Sequence, residues 1–167
     1  QIIIARTDEG FLDVIIDKYF TISHDRGKTW SEIALMTSTH DAAFHYSNPD
    51  IMVISGDDIM CSTDRGETWN ITKSFKNDFE TEEPIIYKTN FDTRGRDRLY
   101  GTHYNTLLYS DDFGANWTDL CKIENIISNF VQRNDKIYMI TDTFKAYQID
   151  LSLLEASIDA VSAENMG

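Results

Sequence analysis

Cysteine and proline are scarce in this sequence, which contains two of each among 167 residues. Cys61 and Cys121 are too few and too far apart to form a disulfide framework or a zinc site of clustered cysteines. We therefore expect two buried free thiols. Long apolar runs are also lacking, and the first residues show no basic segment followed by the apolar stretch of a secretion signal. We expect no membrane insertion.

Basic residues are also few. The sequence has 15 Lys and Arg and 28 Asp and Glu, which gives a net charge of −13. A surface of this sign repels phosphate backbones and anionic membranes. We therefore expect no nucleic-acid partner. The same excess weakens long-range attraction of an acidic sugar, although a local arginine cluster would offset it.

One phrase of eight residues recurs three times, at residues 23–30, 62–69 and 110–117. Its frame is Ser-x-Asp-x-Gly-x-x-Trp, and every tryptophan of the sequence is the last residue of one copy. Repeats of about 40 residues are typical of architectures in which one unit is a four-stranded sheet. The chain, whose length fits a single domain, therefore holds about four such units.

Each fixed residue of the phrase has a mechanical role in a tight turn. Ser and Asp side chains accept hydrogen bonds from nearby backbone N–H groups, and Gly adopts a positive φ. Trp follows on the outgoing strand, where its ring is buried and its indole N–H finds a partner near the turn. Because β-prone residues precede every copy, the phrase predicts a hairpin between two antiparallel strands.

The phrase resembles the Asp-box, or BNR repeat, of the sialidase-like and sortilin-like superfamily of β-propellers. The resemblance implies an all-β propeller of about four blades of four antiparallel strands, or a sector of a larger ring. In those families the box is a fold element, usually remote from the catalytic centre. We therefore expect a structural role for the boxes, with catalytic or Ca²⁺-binding carboxylates as the alternative. The Asp-box residues are Ser23, Asp25, Gly27, Trp30, Ser62, Asp64, Gly66, Trp69, Ser110, Asp112, Gly114 and Trp117.

Predicted strands fill three complete units and part of a fourth. They are residues 2–6, 11–17, 19–23 and 29–35, then 43–47, 51–55, 58–62 and 68–73, then 85–89, 98–102, 106–110 and 116–121, then 126–131, 136–141 and 144–149. The fourth unit has no box, and after it Leu151, Leu154, Ile158 and Val161 follow a helical spacing. We predict blades over residues 1–150 and a short C-terminal helical tail over residues 151–167. The tail either packs on its own domain or joins two chains.

Ligand binding is expected at one end of the propeller. The resemblance implies that ligands sit near the axis at the end opposite the boxes, which carries the turns between second and third strands and the connections between blades. A sugar, a cation or a peptide suits the side chains there, and ordinary solvated loops are the alternative. The candidate ligand-binding residues are His40, Asp41, Asp57, Asp58, His103, Tyr104, Asn105 and Asp142.

The sequence contains few of the motifs that would indicate a catalytic site. It has no Arg-Ile-Pro motif, which resemblance to a sialidase would imply, and its arginines lie mainly in the boxes or within residues 94–98. We therefore predict no catalytic residue, no cofactor and no metal. The predicted function is a non-catalytic recognition or assembly module that binds a glycan or protein subunits, in a surface adhesin or a viral tail or fibre. The resemblance favours an extracellular, surface or virion location.

Two alternatives stay open at this point. An incomplete ring would be completed either by a homo-oligomer or by further blades in a larger polypeptide, because exposed sheet edges and faces are normally covered. The rival function is a fragment of a sialidase-like or other glycoside hydrolase whose catalytic residues lie outside this chain. An acidic sequence always offers the two carboxylates that such an enzyme needs, so their presence does not decide the matter.

Overall fold

The computed structural model describes residues 2–6, 12–16, 19–23, 25, 27–35, 39–56, 58–74 and 86–153, which form four antiparallel sheets. Sheet one contains β1 (Ile2–Arg6), β2 (Leu12–Ile16), β3 (Tyr19–Ser23) and β4 (Ser31–Leu35). Sheet two contains β5 (Thr39–Phe44), β6 (Met52–Gly56), β7 (Asp58–Ser62) and β8 (Asn70–Ser74). Sheet three contains β9 (Lys88–Phe91), β10 (Leu99–His103), β11 (Thr106–Ser110) and β12 (Thr118–Lys122). Sheet four contains β13 (Ile127–Arg133), β14 (Lys136–Thr141) and β15 (Ala146–Asp150).

Each sheet is a meander in which every strand pairs with the next strand along the chain. The first strands of successive sheets lie beside one another, because β5 contacts both β1 and β9, and β9 contacts β13. This arrangement places the first strand of each sheet innermost and the later strands farther out, as in propeller blades. The prediction of an all-β propeller of antiparallel blades is therefore confirmed.

The ends of several predicted strands were wrong. β5 begins at Thr39 rather than at residue 43, so His40 and Asp41 lie in an inner strand and not in a loop. The neighbouring sheet supports this extension, since the Thr89 N–H donates a hydrogen bond to Asp41 Oδ2 at 2.9 Å. β15 begins at Ala146 rather than at residue 144, because Phe144 has a φ of 60° in the preceding turn.

Apolar side chains pack in layers between consecutive sheets. Alternate residues of β10 face opposite neighbours: Leu99 packs with Val53 of sheet two, and Tyr100 packs with Ile137 of sheet four. Leu151 follows β15, is buried in the second of these layers, and donates its N–H to the Asp135 carbonyl oxygen at 2.7 Å. Residues 151–153 are helical, and the rest of the predicted tail lies outside the described residues.

Both cysteines are free thiols, as expected, but only Cys61 is buried, since Cys121 in the outer strand β12 is half-buried. Burial raises the pKa of each thiol. Within the described part of the chain, no helix has the length and apolar character needed to cross a bilayer.

A buried carboxylate joins sheets three and four. Asp92 has no exposed surface and accepts hydrogen bonds from Arg94 Nη2 at 2.7 Å, Arg96 Nε at 3.0 Å and Gln132 Nε2 at 2.9 Å. Gln132 lies in β13, and its side-chain oxygen accepts a hydrogen bond from the Thr93 N–H at 3.0 Å. A buried charge is tolerated only when it is paired and hydrogen-bonded, so this network fixes the two sheets relative to each other.

We predict that Asp92→Ala lowers the free energy of unfolding by about 3–5 kcal/mol, because it leaves two guanidinium groups and the Gln132 amide without their shared acceptor. Urea unfolding followed by circular dichroism measures this loss. Asp111→Ala is the matched control: it removes a carboxylate bound to Arg98 at 2.7 Å, but Asp111 is 57% exposed, so the cost is about 1 kcal/mol or less. Equal losses in the two variants would contradict a special role for Asp92.

Candidate functional site

Each box closes the hairpin between the third and fourth strands of its sheet with the same hydrogen bonds. In the second box, Ser62 Oγ accepts a bond from the Gly66 N–H at 2.7 Å and donates one to Asp64 Oδ1 at 2.8 Å. Asp64 Oδ1 also accepts the Thr68 N–H at 2.9 Å, and Trp69 Nε1 donates to the Gly66 carbonyl oxygen at 2.9 Å. The same four bonds recur in the first and third boxes.

The backbone at the box glycines explains why the frame needs glycine. The φ angles of Gly27, Gly66 and Gly114 are 84°, 82° and 91°, in a region that other residues avoid. The tryptophans stand just before the outer strands rather than inside them, which corrects the predicted strand starts. Ring burial is also incomplete, because Trp30 is 44% exposed. Trp69 and Trp117 pack against apolar clusters of sheets two and three.

The box carboxylates are fully engaged in their own turns. Hydrogen bonds from the Thr29 side chain and amide lower the pKa of Asp25 to about 2, and those from Thr68 lower the pKa of Asp64. Burial alone would raise the pKa of Asp112, but hydrogen bonds from the Asn116 amide and side chain outweigh it and lower the pKa of this carboxyl too. A general acid needs a raised pKa and an accessible proton. These contacts therefore favour the structural assignment of the boxes, which stays a prediction.

We predict that Gly114→Ala destabilises the protein more than Gly95→Ala. Both glycines have positive φ, at 91° and 78°, so each substitution costs about 1–2 kcal/mol in backbone strain. A Cβ on Gly114 would also lie 2.6 Å from Ile59 Cγ2 in sheet two, whereas one on Gly95 would meet Ser47 Oγ at 3.4 Å. The contact adds about 1–3 kcal/mol of overpacking for Gly114→Ala. Thermal unfolding measures the difference, and equal midpoints would rule out the inter-sheet contact.

We predict that the protein loses stability on acidification between about pH 4 and pH 2. A carboxyl whose pKa is lowered in the folded state contributes stability above its unfolded pKa of 3.8 and loses it as the pH falls toward the folded value. Asp64→Asn should therefore flatten the dependence, as measured by urea unfolding at several pH values. Asp41→Asn is the contrasting variant: burial raises the pKa of Asp41, so its protonation in the folded state adds stability as the pH falls toward 3.8, and the substitution removes that gain without changing the loss below it.

The boxes and the predicted ligand residues lie at opposite ends of the sheets. At the box end, Arg65 pairs with Asp50 of the β5–β6 loop, and Arg98 of the β9–β10 loop pairs with Asp111. At the other end, the Ile127 N–H donates to the carbonyl oxygen of Tyr104 in the β10–β11 turn at 2.8 Å. The turns therefore alternate between the two ends as the propeller resemblance implied.

Three predicted ligand residues converge at this second end around a tyrosine that the sequence reasoning missed. The ring centroid of Tyr87 lies 5.4 Å from that of His40, 6.3 Å from that of His103 and 5.5 Å from that of Tyr104. His103 and Tyr104 meet edge to face at 4.6 Å. We call these four residues the aromatic patch. Tyr87 was overlooked because it fell inside a run predicted as strand, where an aromatic side chain indicates core.

The patch is anchored to the inner strands and is partly exposed. The Tyr87 N–H donates to the Thr102 carbonyl oxygen at 2.9 Å, which holds it beside β10. A hydrogen bond with the Tyr104 side chain, together with burial, raises the pKa of Tyr87 to about 12. Tyr104 is 51% exposed and has a φ of 47°, a region that is unfavourable for non-glycine residues. Phe144 in the equivalent β14–β15 turn has a φ of 60°, so this conformation belongs to the turn and presents the ring at its tip.

A carboxylate and an amine extend the patch along the inner strands. Asp41 follows His40 in β5, and Lys88 Nζ lies 3.9 Å from Asp41 Oδ1. Burial is the main reason that the pKa of Asp41 is raised, and the Thr89 amide and Lys88 act in the opposite direction. The predicted residues His40, Asp41, His103 and Tyr104 thus belong to one surface region that also includes Tyr87 and Lys88.

The remaining predicted ligand residues take part in other contacts. Asp58 is buried and accepts a hydrogen bond from Ser74 Oγ. Asn105 Nδ2 donates to the Ile123 carbonyl oxygen at 2.9 Å and so supports the connection to sheet four. Asp142 is exposed in the β14–β15 turn, and Asp57 lies outside the described residues. Among the residues with described positions, no group of three or more His, Cys, Asp or Glu is arranged to hold a metal ion.

One family model matches the chain at its first box. The model is described as BNR/Asp-box repeat, and it covers residues 21–32. No curated protein sequence matches the chain.

Solved structures share the fold at low sequence identity. One is YCF48 bound to D1 peptide, which is 14% identical with a TM-score of 0.64, over 84% of this chain and 48% of that one. A nidogen/laminin complex gives 15% identity and a TM-score of 0.70, over 90% of this chain and 61% of that one. The GH74 xyloglucanase of Xanthomonas campestris is 14% identical with a TM-score of 0.69, over 88% of this chain and 28% of that one. This chain therefore spans about half the length of the YCF48 chain, three fifths of the chain in the nidogen/laminin complex and less than a third of the xyloglucanase.

Proposed function

Because the chain is an Asp-box (BNR) repeat protein with the β-propeller fold, we propose that it is a non-catalytic recognition module whose ligand binds at the aromatic patch. The main observation in support of this proposal is that four side-chain rings from two sheets converge at the end opposite the boxes. Exposed aromatic side chains offer large contact area at low entropic cost, and they cluster at recognition surfaces. The patch lies beside the inner strands β5 and β9, at the end of the sheets that carries the β10–β11 turn.

The chemistry of the patch suits a neutral or weakly polar ligand. Tyrosine and histidine rings present apolar faces for stacking and polar edges for hydrogen bonding, which fits both a sugar ring and a peptide side chain. The net charge of −13 opposes a strongly anionic ligand. The similar structures include YCF48 bound to D1 peptide, a nidogen/laminin complex and a GH74 xyloglucanase. A peptide or protein segment is the first choice and a glycan the second.

A glycoside hydrolase fragment is the competing proposal, and one observation favours it. Asp41 adjoins the patch and has a raised pKa, which is the property required of a general acid. Hydrolysis needs a second carboxylate about 5–10 Å away. The Asp41 carboxylate is instead tied to the Thr89 N–H and lies near Lys88, as an ion-paired structural group would. Binding without cleavage is therefore the proposed activity.

We predict that Tyr104→Ala lowers binding at least about tenfold to the best probe found on a peptide array and a glycan array, because it removes the most exposed ring of the patch. Biolayer interferometry measures the affinity. Phe144→Ala is the matched control: Phe144 lies in the corresponding β14–β15 turn, has a φ of 60° and is 87% exposed. It should bind like the unaltered chain.

Two results would contradict this proposal. One is a Tyr104→Ala variant that keeps both its thermal midpoint and its affinity, which would place the ligand elsewhere. The other is hydrolysis of xyloglucan or of fluorogenic glycosides by the purified chain, lost in Asp41→Asn, which would support the hydrolase instead. Loss of binding with unchanged stability in Tyr104→Ala alone supports the recognition module.

A further inference from the structure

An acid–base pair adjoins the aromatic patch without being closed by a direct hydrogen bond. Lys88 Nζ lies 3.9 Å from Asp41 Oδ1, beyond the distance of about 3.2 Å within which an N–H···O bond is normally made. The side chains of Lys88 and Asp41 are 28% and 17% exposed, so both are partly desolvated and still open to another molecule. The pair therefore keeps hydrogen-bonding capacity that a ligand can use.

Asp41 is the less completely solvated member of this pair. Its Oδ2 accepts the Thr89 N–H at 2.9 Å, and the Ala42 amide also donates to the carboxylate. Burial nevertheless raises the pKa of Asp41, so these amides and Lys88 do not fully replace the water that burial removes. A further hydrogen-bond donor placed on this carboxylate would stabilise its charged form.

Strand register shows that the two charged residues occupy equivalent positions in sheets two and three. Counted from the residues that pair with the box serines, Ser55 of β6 and Thr102 of β10 stand at the same place in their strands. The first of these pairs with Asp41, and the second pairs with Lys88. Each charged residue directly follows a ring of the aromatic patch in the sequence. Rings and charges thus reach the same end of the two inner strands.

The pair selects against a charged ligand group. An ammonium group would be attracted by Asp41 and repelled by Lys88, and a carboxylate would experience the reverse. A neutral group that donates one hydrogen bond and accepts another satisfies both side chains. This requirement agrees with the neutral or weakly polar ligand that the rings favour.

A primary carboxamide carries such a donor and acceptor side by side. In asparagine and glutamine side chains, the NH₂ group and the carbonyl oxygen lie on one edge of a planar group. With this edge they recognise a neighbouring acceptor and donor on adenine. In a trans backbone amide the N–H and the C=O point in opposite directions, so a single backbone amide does not reach both members of the pair.

We propose that the ligand of the aromatic patch is a peptide segment that presents an asparagine or glutamine side chain to Lys88 and Asp41. Lys88 Nζ donates a hydrogen bond to the carboxamide oxygen, and the carboxamide NH₂ group donates one to Asp41 Oδ1. The rings supply contact area, and the charged pair fixes orientation and specificity. This inference rests on the proposed function, because it names the chemistry of the ligand for the same patch.

Matched peptides test the inference by biolayer interferometry. In the best peptide probe from the array, each asparagine or glutamine is replaced by leucine. We expect one replacement to lower the affinity of the unaltered chain at least about tenfold, as loss of a hydrogen bond to a charged group does. In Lys88→Met the same replacement should change the affinity by about threefold or less, because groups in contact give coupled effects.

Two further variants separate the donor from general effects of charge. Lys145→Met is the matched control, since Lys145 is a 54% exposed lysine at the same end of the sheets and pairs with Glu124. It should bind the probe like the unaltered chain. Lys88→Arg keeps a donor and should retain more affinity than Lys88→Met. Thermal unfolding checks that all three variants are folded.

Several results would overturn the inference. One is a leucine replacement that costs as much in Lys88→Met as in the unaltered chain, and another is an equal loss of affinity in Lys145→Met. A best probe that lacks asparagine and glutamine, or arrays on which only glycans bind, would assign the pair to another group such as a hydroxyl. If Tyr104→Ala lowers the affinity and Lys88→Met does not, the recognition module stands and the carboxamide is excluded. If neither variant lowers it, the proposed function fails as well.

Discussion

A buried serine hydroxyl is the point on which each four-stranded sheet depends. Ser62 and Ser110 are almost completely buried, and each hydroxyl accepts a glycine N–H while it donates to the box aspartate. The turn so formed does more than reverse the chain. Gly114 lies against Ile59 of sheet two, and Thr72 Oγ1 of β8 donates to the Phe113 carbonyl oxygen at 3.2 Å. The third box therefore holds its own hairpin and also docks sheet three on sheet two.

The sequence predicts local features of this fold well because the chemistry behind them is local. The box residues are within eight positions of one another, and their hydrogen bonds need no partner from elsewhere. The start of β5 was missed because Thr39, His40 and Asp41 are polar, and the amide that satisfies Asp41 comes from another sheet. The Asp92 network was not predicted for the same reason, since Gln132 lies 40 residues away. The aromatic patch was predicted in part, and Tyr87 was hidden by its strand-like neighbours.

Arginine ion pairs stabilise the box end of the sheets. The arginines at positions 65, 94, 96 and 98 form ion pairs with aspartates there, so much of the small supply of positive charge serves the scaffold. At the opposite end, among the described residues, Lys88 lies near Asp41 beside the aromatic patch and Lys145 pairs with Glu124.

The meander within each sheet has a consequence for how the chain can change in length. Every strand pairs with its neighbours in sequence within a sheet, and sheet three packs on sheet two before it and on sheet four after it. Stability in such an array is close to a sum of units and of their contacts. Duplication or loss of one whole sheet therefore preserves the pairing partners of every remaining strand, whereas insertion of half a sheet would disturb them. Gene rearrangement can adjust the number of blades in whole steps, while the box turns keep each unit folded in the same way.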